Sequence, residues 1–509
     1  MPNLPTLGQA NWGETLNNFL TQSLDNTNGG GINKFDTFSL RPTTLGADDK
    51  GKTYLYTQTG NFHQWTGTEW KVLNESVINV KDYGAVGDDS GKTPTDTGVD
   101  ISTASWNIWP DFLTGGNLNA SEPNYAAKKA EIEAYNSWGS LTPPYPKPFT
   151  NIDSWDYIGI QLALWQSHLK SPTANIEVYI PAGNYKLTRE IRYTVGIRAT
   201  LRGAGILQSI LKFKDITSFP TVYKGEKTLL YIYRVGGVPT SVSDLGFHGE
   251  YEESFANNIN LVVCVNTNGV HLDRCWFSSA KVGVLVDDNN SDFFLTNSTA
   301  EYCSIALKGS SGDTMTVNDN NFWQTINSTI KYTGIESTGR CIIRDNNFYL
   351  FANTSIITGP KSQICDNYFY TSNCFGVATL DQDSIFSGNI IETSGALGAQ
   401  LTLSSNCVVN SNQFLNSSSQ HGCINLRKNI AVNKGSLILG NIFKINAGGL
   451  APSAGTGIIF AENPGSDYST GAENCMIANN NFTKTIDSTI PDMTLNQGNN
   501  TIINNLTNT

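Results

Sequence analysis

Val317-Asn-Asp-Asn320-Asn-Phe322, Ile343-Arg-Asp-Asn346-Asn-Phe348, Ile364-Cys-Asp-Asn367-Tyr-Phe369, Phe386-Ser-Gly-Asn389-Ile-Ile391 and Val409-Asn-Ser-Asn412-Gln-Phe414 are five copies of one pattern. Each runs apolar, two residues, Asn, one residue, apolar. The closing positions 322, 348, 369, 391 and 414 are 26, 21, 22 and 23 residues apart. Weaker copies precede them (Leu272 to Phe277, Leu295 to Ala300) and follow them (Ile438 to Phe443, Ile477 to Phe482, Ile502 to Asn505). A period in the twenties marks a solenoid, because one repeat cannot bury its own apolar face and a stack of repeats can. The residue types are Val, Ile, Phe, Thr and Asn, which suit strands joined by tight turns. The expected fold is therefore all-β, a parallel β-helix with one coil per repeat. A leucine-rich repeat also carries Asn at a fixed offset, but its L-x-x-L-x-L run is absent. The recurrent Asn predicts a turn of left-handed backbone geometry, with Asn side chains stacked and hydrogen-bonded from coil to coil.

The rest of the composition agrees with polar-turned coils. Of 509 residues, 39% are hydrophobic and only 15% charged. The formal net charge of −11 argues against a nucleic-acid partner, and it is compatible with a neutral polysaccharide or one that offers a cation. No stretch approaches the roughly 18 apolar residues of a membrane span. Nine Cys are scattered among the coils without a CxxC pair, so they are expected to be reduced thiols packed as small hydrophobes. The start, Met1-Pro-Asn-Leu-Pro, lacks the basic and apolar regions of a signal peptide, which predicts synthesis and folding in a cytoplasm.

Residues 1–31 hold Leu16, Phe19, Leu20 and Leu24 at the spacing of a short amphipathic helix, followed by a Gly-rich link. The opening Leu4-Pro-Thr-Leu-Gly-Gln-Ala-Asn-Trp12-Gly resembles the virion-attachment ends of bacteriophage tail fibres and tailspikes. Residues 32–75 read as a small β module with a hairpin at Thr66-Gly67, similar to the small modules between anchor and body in phage tail proteins. Trp65 and Trp70 are expected to hold that module together. From residue 76 the main domain runs to 509. Ile78-Asn-Val80-Lys-Asp-Tyr83-Gly84-Ala-Val86-Gly87, Pro181-Ala-Gly183-Asn-Tyr185 and Leu201-Arg-Gly203-Ala-Gly205 resemble, in order, the entry, turn and first coil of pectate-lyase-superfamily proteins. Many phage tailspikes belong to that class. The resemblance implies a right-handed parallel β-helix and a small N-terminal α/β anchoring region. The insertion 90–152, with Trp106, Trp109, Trp138 and a possible helix over 126–135, departs from the family pattern.

The resemblance further implies a homotrimer on the virion tail. Residues 1–31 would bind baseplate or tail proteins, and the body would bind and depolymerise host cell-surface polysaccharide. The fold carries lyases, hydrolases and inert binders alike. A receptor-binding tail protein without catalysis is therefore the alternative, and hydrolase and lyase stay unseparated. The motif set of polygalacturonase-type hydrolases is not present in order. No cofactor and no metal site is expected.

Two sets of residues are candidates for chemistry. Asp288 lies 12 residues before the closing Ala300, Asp313 nine before Phe322 and Glu336 12 before Phe348, with Arg340 eight before Phe348. Coils stack about 4.8 Å apart, so carboxylates on adjacent coils would come within the separations glycosidases use. Asp288, Asp313 and Glu336 are therefore the catalytic candidates. One position past the closing residue, Glu301, Trp323, Tyr349, Tyr370 and Glu392 form a second column, which strand alternation points outward. Three aromatics flanked by carboxylates suit sugar stacking or a subunit interface. With Arg340 they are the substrate-binding candidates. Asp319, Asp345 and Asp366 are expected to be structural turn residues.

Overall fold

The computed structural model describes the chain from Asn33 onward, except for 37–41, 43–44, 58, 60, 68–69, 73–76, 99–148, 171–175, 195–198, 222, 234–239, 250–257, 288–289, 311–313, 325–331, 350–353, 372–375, 394–400, 416–422, 427–432, 446–457, 461–471, 485–492, 495–498 and 509. The expected helices near residues 14–24 and 126–135 lie outside the described residues. The chain divides into two compact units, 1–189 and 190–509.

In the first unit, Asn33–Phe35, Thr53–Tyr56, Asn61–Trp65 and Trp70–Val72 form a four-stranded sheet. The last two are the hairpin expected at Thr66-Gly67, with Trp65 opposite Trp70. Their rings meet edge to face at 5.7 Å, and Trp65 is buried. Asp82 reaches this sheet from a short 3-10 turn, accepting from Thr59, Asn61 and the buried His63. The helix Trp155–Lys170 buries Trp155, Tyr157, Ile158, Ile160, Leu162 and Leu164. Gly159 is required there, because a Cβ would lie 2.2 Å from the backbone nitrogen of Ala85. Asp156, in the helix's first turn, accepts from the backbone N–H groups of Val86, Gly87 and Lys186.

The second unit is a parallel β-helix with three faces per coil. Twelve described strands, from Ala199–Gly203 to Thr501–Ile503, make the first face. Its inward column runs Leu201, Val242, Leu272, Leu295, Val317, Ile343, Ile364, Phe386, Val409, Ile438 and Ile477, all buried. The chain then turns into a second face, where Phe322, Phe348 and Phe369 stack at 4.9 Å between successive ring centroids. Ile391 interrupts the stack, and Phe414, Phe443 and Phe482 resume it at the same spacing. The long strands Trp276–Asp287 and Thr299–Gly309 pass through the second face into the third.

Between the first two faces lies the Asn ladder. The side-chain Nδ2 of Asn320 donates to Oδ1 of Asn346, Asn346 to Asn367, Asn367 to Asn389, Asn389 to Asn412, Asn412 to Asn441, Asn441 to Asn480 and Asn480 to Asn505, all at 2.9–3.0 Å. Each Asn backbone N–H donates to the same Oδ1, as Asn346 does at 3.0 Å. The left-handed residue is not the Asn itself, which corrects the sequence expectation. Asp319, Asp345, Asp366, Gly388, Ser411 and Asn479, each just before a ladder Asn, carry φ of 56–67°. A ladder Asn commits its side chain to the next coil, so its predecessor must reverse the chain. That is the structural task of the Asp319, Asp345 and Asp366 column.

The opposite turn, leading into the first face, has a ladder of its own. Cys341 N–H donates to Ser362 Oγ, Ser362 N–H to Ser384 Oγ, and Cys407 N–H to Ser436 Oγ. Cysteine here is a small buried residue of the turn, and burial pushes the Cys341 thiol up to about 12.

Candidate functional site

The second face turns alternate residues outward, and the register there is continuous. Ser278, Glu301, Trp323, Tyr349, Tyr370 and Glu392 are successive partners across five strand pairings. Two residues earlier on the same strands, Trp276, Thr299, Asn321, Asn347, Tyr368 and Ile390 form a parallel column. A groove of about 790 Å³ lies over these two columns. Its lining runs along the solenoid axis from Trp276 to Tyr370, and Ile206 and Leu207 rise from a turn at the Trp276 end. Five strands at the usual spacing give it a length of roughly 19 Å.

The surface is aromatic and open. Trp323 is 53% exposed and Leu207 66%. The Trp323 and Tyr349 rings lie 6.4 Å apart, and Tyr349 meets Tyr368 edge-on at 6.1 Å. Asn347 donates to Asn321 at 3.0 Å, a hydrogen-bonded pair within the second column, between Trp276 and Tyr368. At one end Glu301 accepts a long 3.4 Å hydrogen bond from the Ser278 hydroxyl. At the other the Tyr368 hydroxyl donates to Glu392 at 2.7 Å. Burial and the Glu392 hydrogen bond together push the Tyr368 phenol up to about 12, so it stays protonated at neutral pH. Upstream in the same column His248 follows Lys212 and precedes Ser278, and burial lowers its pKa, with the Lys212 charge adding to the effect.

The two sets of sequence candidates fare differently. Glu301, Trp323, Tyr349, Tyr370 and Glu392 fall in one outward column, of which all but Glu392 line the groove. Asp288 and Asp313 lie outside the described residues. Glu336 is on the third face, opposite Lys308 and Ile357 in register, and its carboxylate pairs with Lys308 Nζ at 3.1 Å. Arg340 is on the first face, opposite Thr314. Glu336 and Arg340 therefore do not share a column, which corrects the offset argument. Counting back from Phe348 to Glu336 ran through the whole first face and two turns, and the turn into the first face varies in length from coil to coil. Lys361 and Asp383, at Arg340's offset on the next two coils, occupy left-handed turn positions with φ of 61° and 60°.

Sequence reasoning missed Trp276, Asn321, Asn347 and Tyr368. The signal was available, since a residue two before an outward-facing one on the same strand faces the same way. Ile206 and Leu207 left no such signal. On the third face the equivalent upstream surface is covered, with Tyr223, Tyr231, Val263 and Leu285 packed together and Tyr223 and Lys224 both bonded to Asp287. Among the described residues no group of three His, Cys, Asp or Glu is placed to hold a metal ion, and no helix is long and apolar enough to cross a membrane.

No protein-family model matches the chain, and no curated protein matches it significantly. Solved structures with similar backbones include the catalytic unit of a GH87 alpha-1,3-glucanase from Streptomyces thermodiastaticus, at 15% identity and a TM-score of 0.43, covering 67% of this chain. The chain spans 65% of that glucanase unit's length. The A-module of a mannuronan C-5 epimerase from Azotobacter vinelandii is 12% identical with a TM-score of 0.40, over 84% of this chain and 95% of that one. The ORF18 protein of Geobacillus virus E2 is 12% identical with a TM-score of 0.35, over 85% of this chain and 73% of that one. Likeness at this level assigns neither a substrate nor a reaction to this chain.

Proposed function

We propose that this chain is a tail protein of tailspike type that holds a host cell-surface polysaccharide along the groove on its second face. The observation that carries this reading is the groove itself: an open, elongated surface with Trp276, Trp323, Tyr349, Tyr368 and Tyr370 aligned in register and polar groups between them. Aromatic faces with a few placed polar groups are what a sugar-binding site needs, because sugars offer both apolar C–H faces and hydroxyls. The sequence resemblance of residues 1–31 to virion-attachment ends supports a place on the virion. The resemblance of the body supports a homotrimer. Titrating wild type and Trp323→Ala with polysaccharide from the surface of the infected bacterium tests the reading. Wild type binds and the variant loses at least tenfold in affinity; equal binding by both would place the ligand elsewhere.

A second reading adds cleavage of the bound chain. It is favoured by Tyr368 and Glu392, a phenol and a carboxylate joined by a 2.7 Å hydrogen bond at one end of the groove. Product size after incubation with the polysaccharide reads this directly. Tyr368→Phe, Glu392→Gln and Glu336→Gln, made separately, then report which carboxylate the reaction uses. Uncut polysaccharide with wild type leaves the chain a binder alone.

A further inference from the structure

We infer that the groove is built for an uncharged glycan laid along the solenoid axis and that it rejects polyuronates and other acidic polysaccharides. The inference rests on the groove reading above and names its substrate class. In the outward column a carboxylate stands at each end of the three-ring platform: Glu301 before Trp323, and Glu392 after Tyr370. Four register steps separate them, roughly 19 Å at the usual strand spacing. A glycan lying along the platform therefore has every sugar within about 10 Å of one or the other, close to the screening length of about 8 Å at physiological salt. The ring faces of Trp323, Tyr349 and Tyr370 exclude water on one side, so a bound carboxylate would meet these charges with less shielding than in bulk water.

An uncharged sugar meets the same groups favourably. Glu301 takes only a long 3.4 Å hydrogen bond from Ser278 among the described residues, which leaves its oxygens available to sugar hydroxyls. A hydroxyl donates to a carboxylate; the carboxylate of an ionised uronate cannot. Thr299 and Asn321 line the groove beside the ring platform and offer both donors and acceptors to further hydroxyls. The geometry thus rewards hydroxyl donors and penalises anions at both ends.

The test is an array of immobilised bacterial polysaccharides of known repeat, half uncharged and half acidic, probed with wild type, Trp323→Ala and Glu301→Gln. Thermal melts establish that each variant is folded. The expected result is binding confined to uncharged glycans, lost at least tenfold in Trp323→Ala. Glu301→Gln should bind the same uncharged glycans more weakly, and its preference over the acidic ones should narrow. Binding of acidic glycans by wild type that disappears in Trp323→Ala would leave the groove reading intact and overturn this inference. Binding that Trp323→Ala does not change, or no binding at all, would overturn both.

Discussion

Asn367 donates from Nδ2 to Oδ1 of Asn389, one coil further along the solenoid, at 3.0 Å, and its backbone N–H donates to the same oxygen. Asn389 in turn donates to Ile364 O, Ser387 O and Asn412 Oδ1. Its side chain thus joins three consecutive coils in a place water does not reach.

Replacing Asn389 with Ala removes five hydrogen bonds at once and leaves the Asn367 N–H and three acceptors buried without this partner. Each buried polar group so stranded costs about 1–3 kcal/mol. Even with relaxation, Asn389→Ala should destabilise by at least about 3 kcal/mol, read from the midpoint of urea unfolding. A change below about 1 kcal/mol would mean that the ladder follows from the fold instead of supporting it.

The left-handed position before each ladder Asn makes a sharper prediction. Asp345 holds φ of 56°. Gly adopts that backbone without strain and a β-branched residue does not. Asp345→Gly should change stability by less than about 0.5 kcal/mol, whereas Asp345→Val should cost about 2 kcal/mol. Equal effects of the two in the same unfolding assay would show that the Asp carboxylate, not the backbone, matters there.

Phe348 sits between Phe322 and Phe369, 4.9 Å from each. Phe348→Ala should cost about 3–5 kcal/mol through the cavity it opens, and Phe348→Leu less than about 1.5 kcal/mol. Thermal melts of the two variants beside wild type give the comparison. Because Ile391 already replaces Phe in the column, an aliphatic side chain is an acceptable neighbour to these rings.

These three positions also mark how far the sequence could be read. Phe348, Asn346 and Ile343 recur at fixed offsets because they lie within six residues of one another, on two strands and the tight turn between them. Nothing of variable length intervenes, so the pattern yields the fold, the stack and the ladder. The outward column from Glu301 to Glu392 was legible for the same reason, being one residue past the stack. Glu336 was misplaced because it lies across the turn into the first face, whose length differs from coil to coil, whereas Arg340 is on the first face itself. The walls at Ile206 and Leu207 come from a turn outside the repeat and leave no periodic trace. The side chain that takes left-handed geometry was misread because Asn is favoured there in isolation, and only the ladder bonds show why the Asn is needed one residue later.

In the first unit, Asp156 provides a prediction in pH. Burial raises its carboxyl from an ordinary 3.8 to about 6, against the pull of the Gly87, Val86 and Lys186 N–H groups that favour the charged form. Between pH 4 and 6 the folded protein keeps a proton that the unfolded chain has released. Its contribution to stability is therefore complete below about pH 4, falls as pH rises through 6, and is absent at neutrality. A shift of about two pH units corresponds to about 3 kcal/mol at most. Asp156→Asn removes the titration. The amide oxygen still accepts from Val86 and Gly87, but its NH2 group confronts the Lys186 N–H, so the variant should be less stable by about 1–3 kcal/mol. Denaturant unfolding at pH 4.5 and pH 7.5, on wild type and variant, isolates the carboxyl from every other titrating group. The wild type should gain stability on acidification relative to Asp156→Asn. An identical pH response in the two proteins would mean that the three N–H donors hold Asp156 ionised throughout.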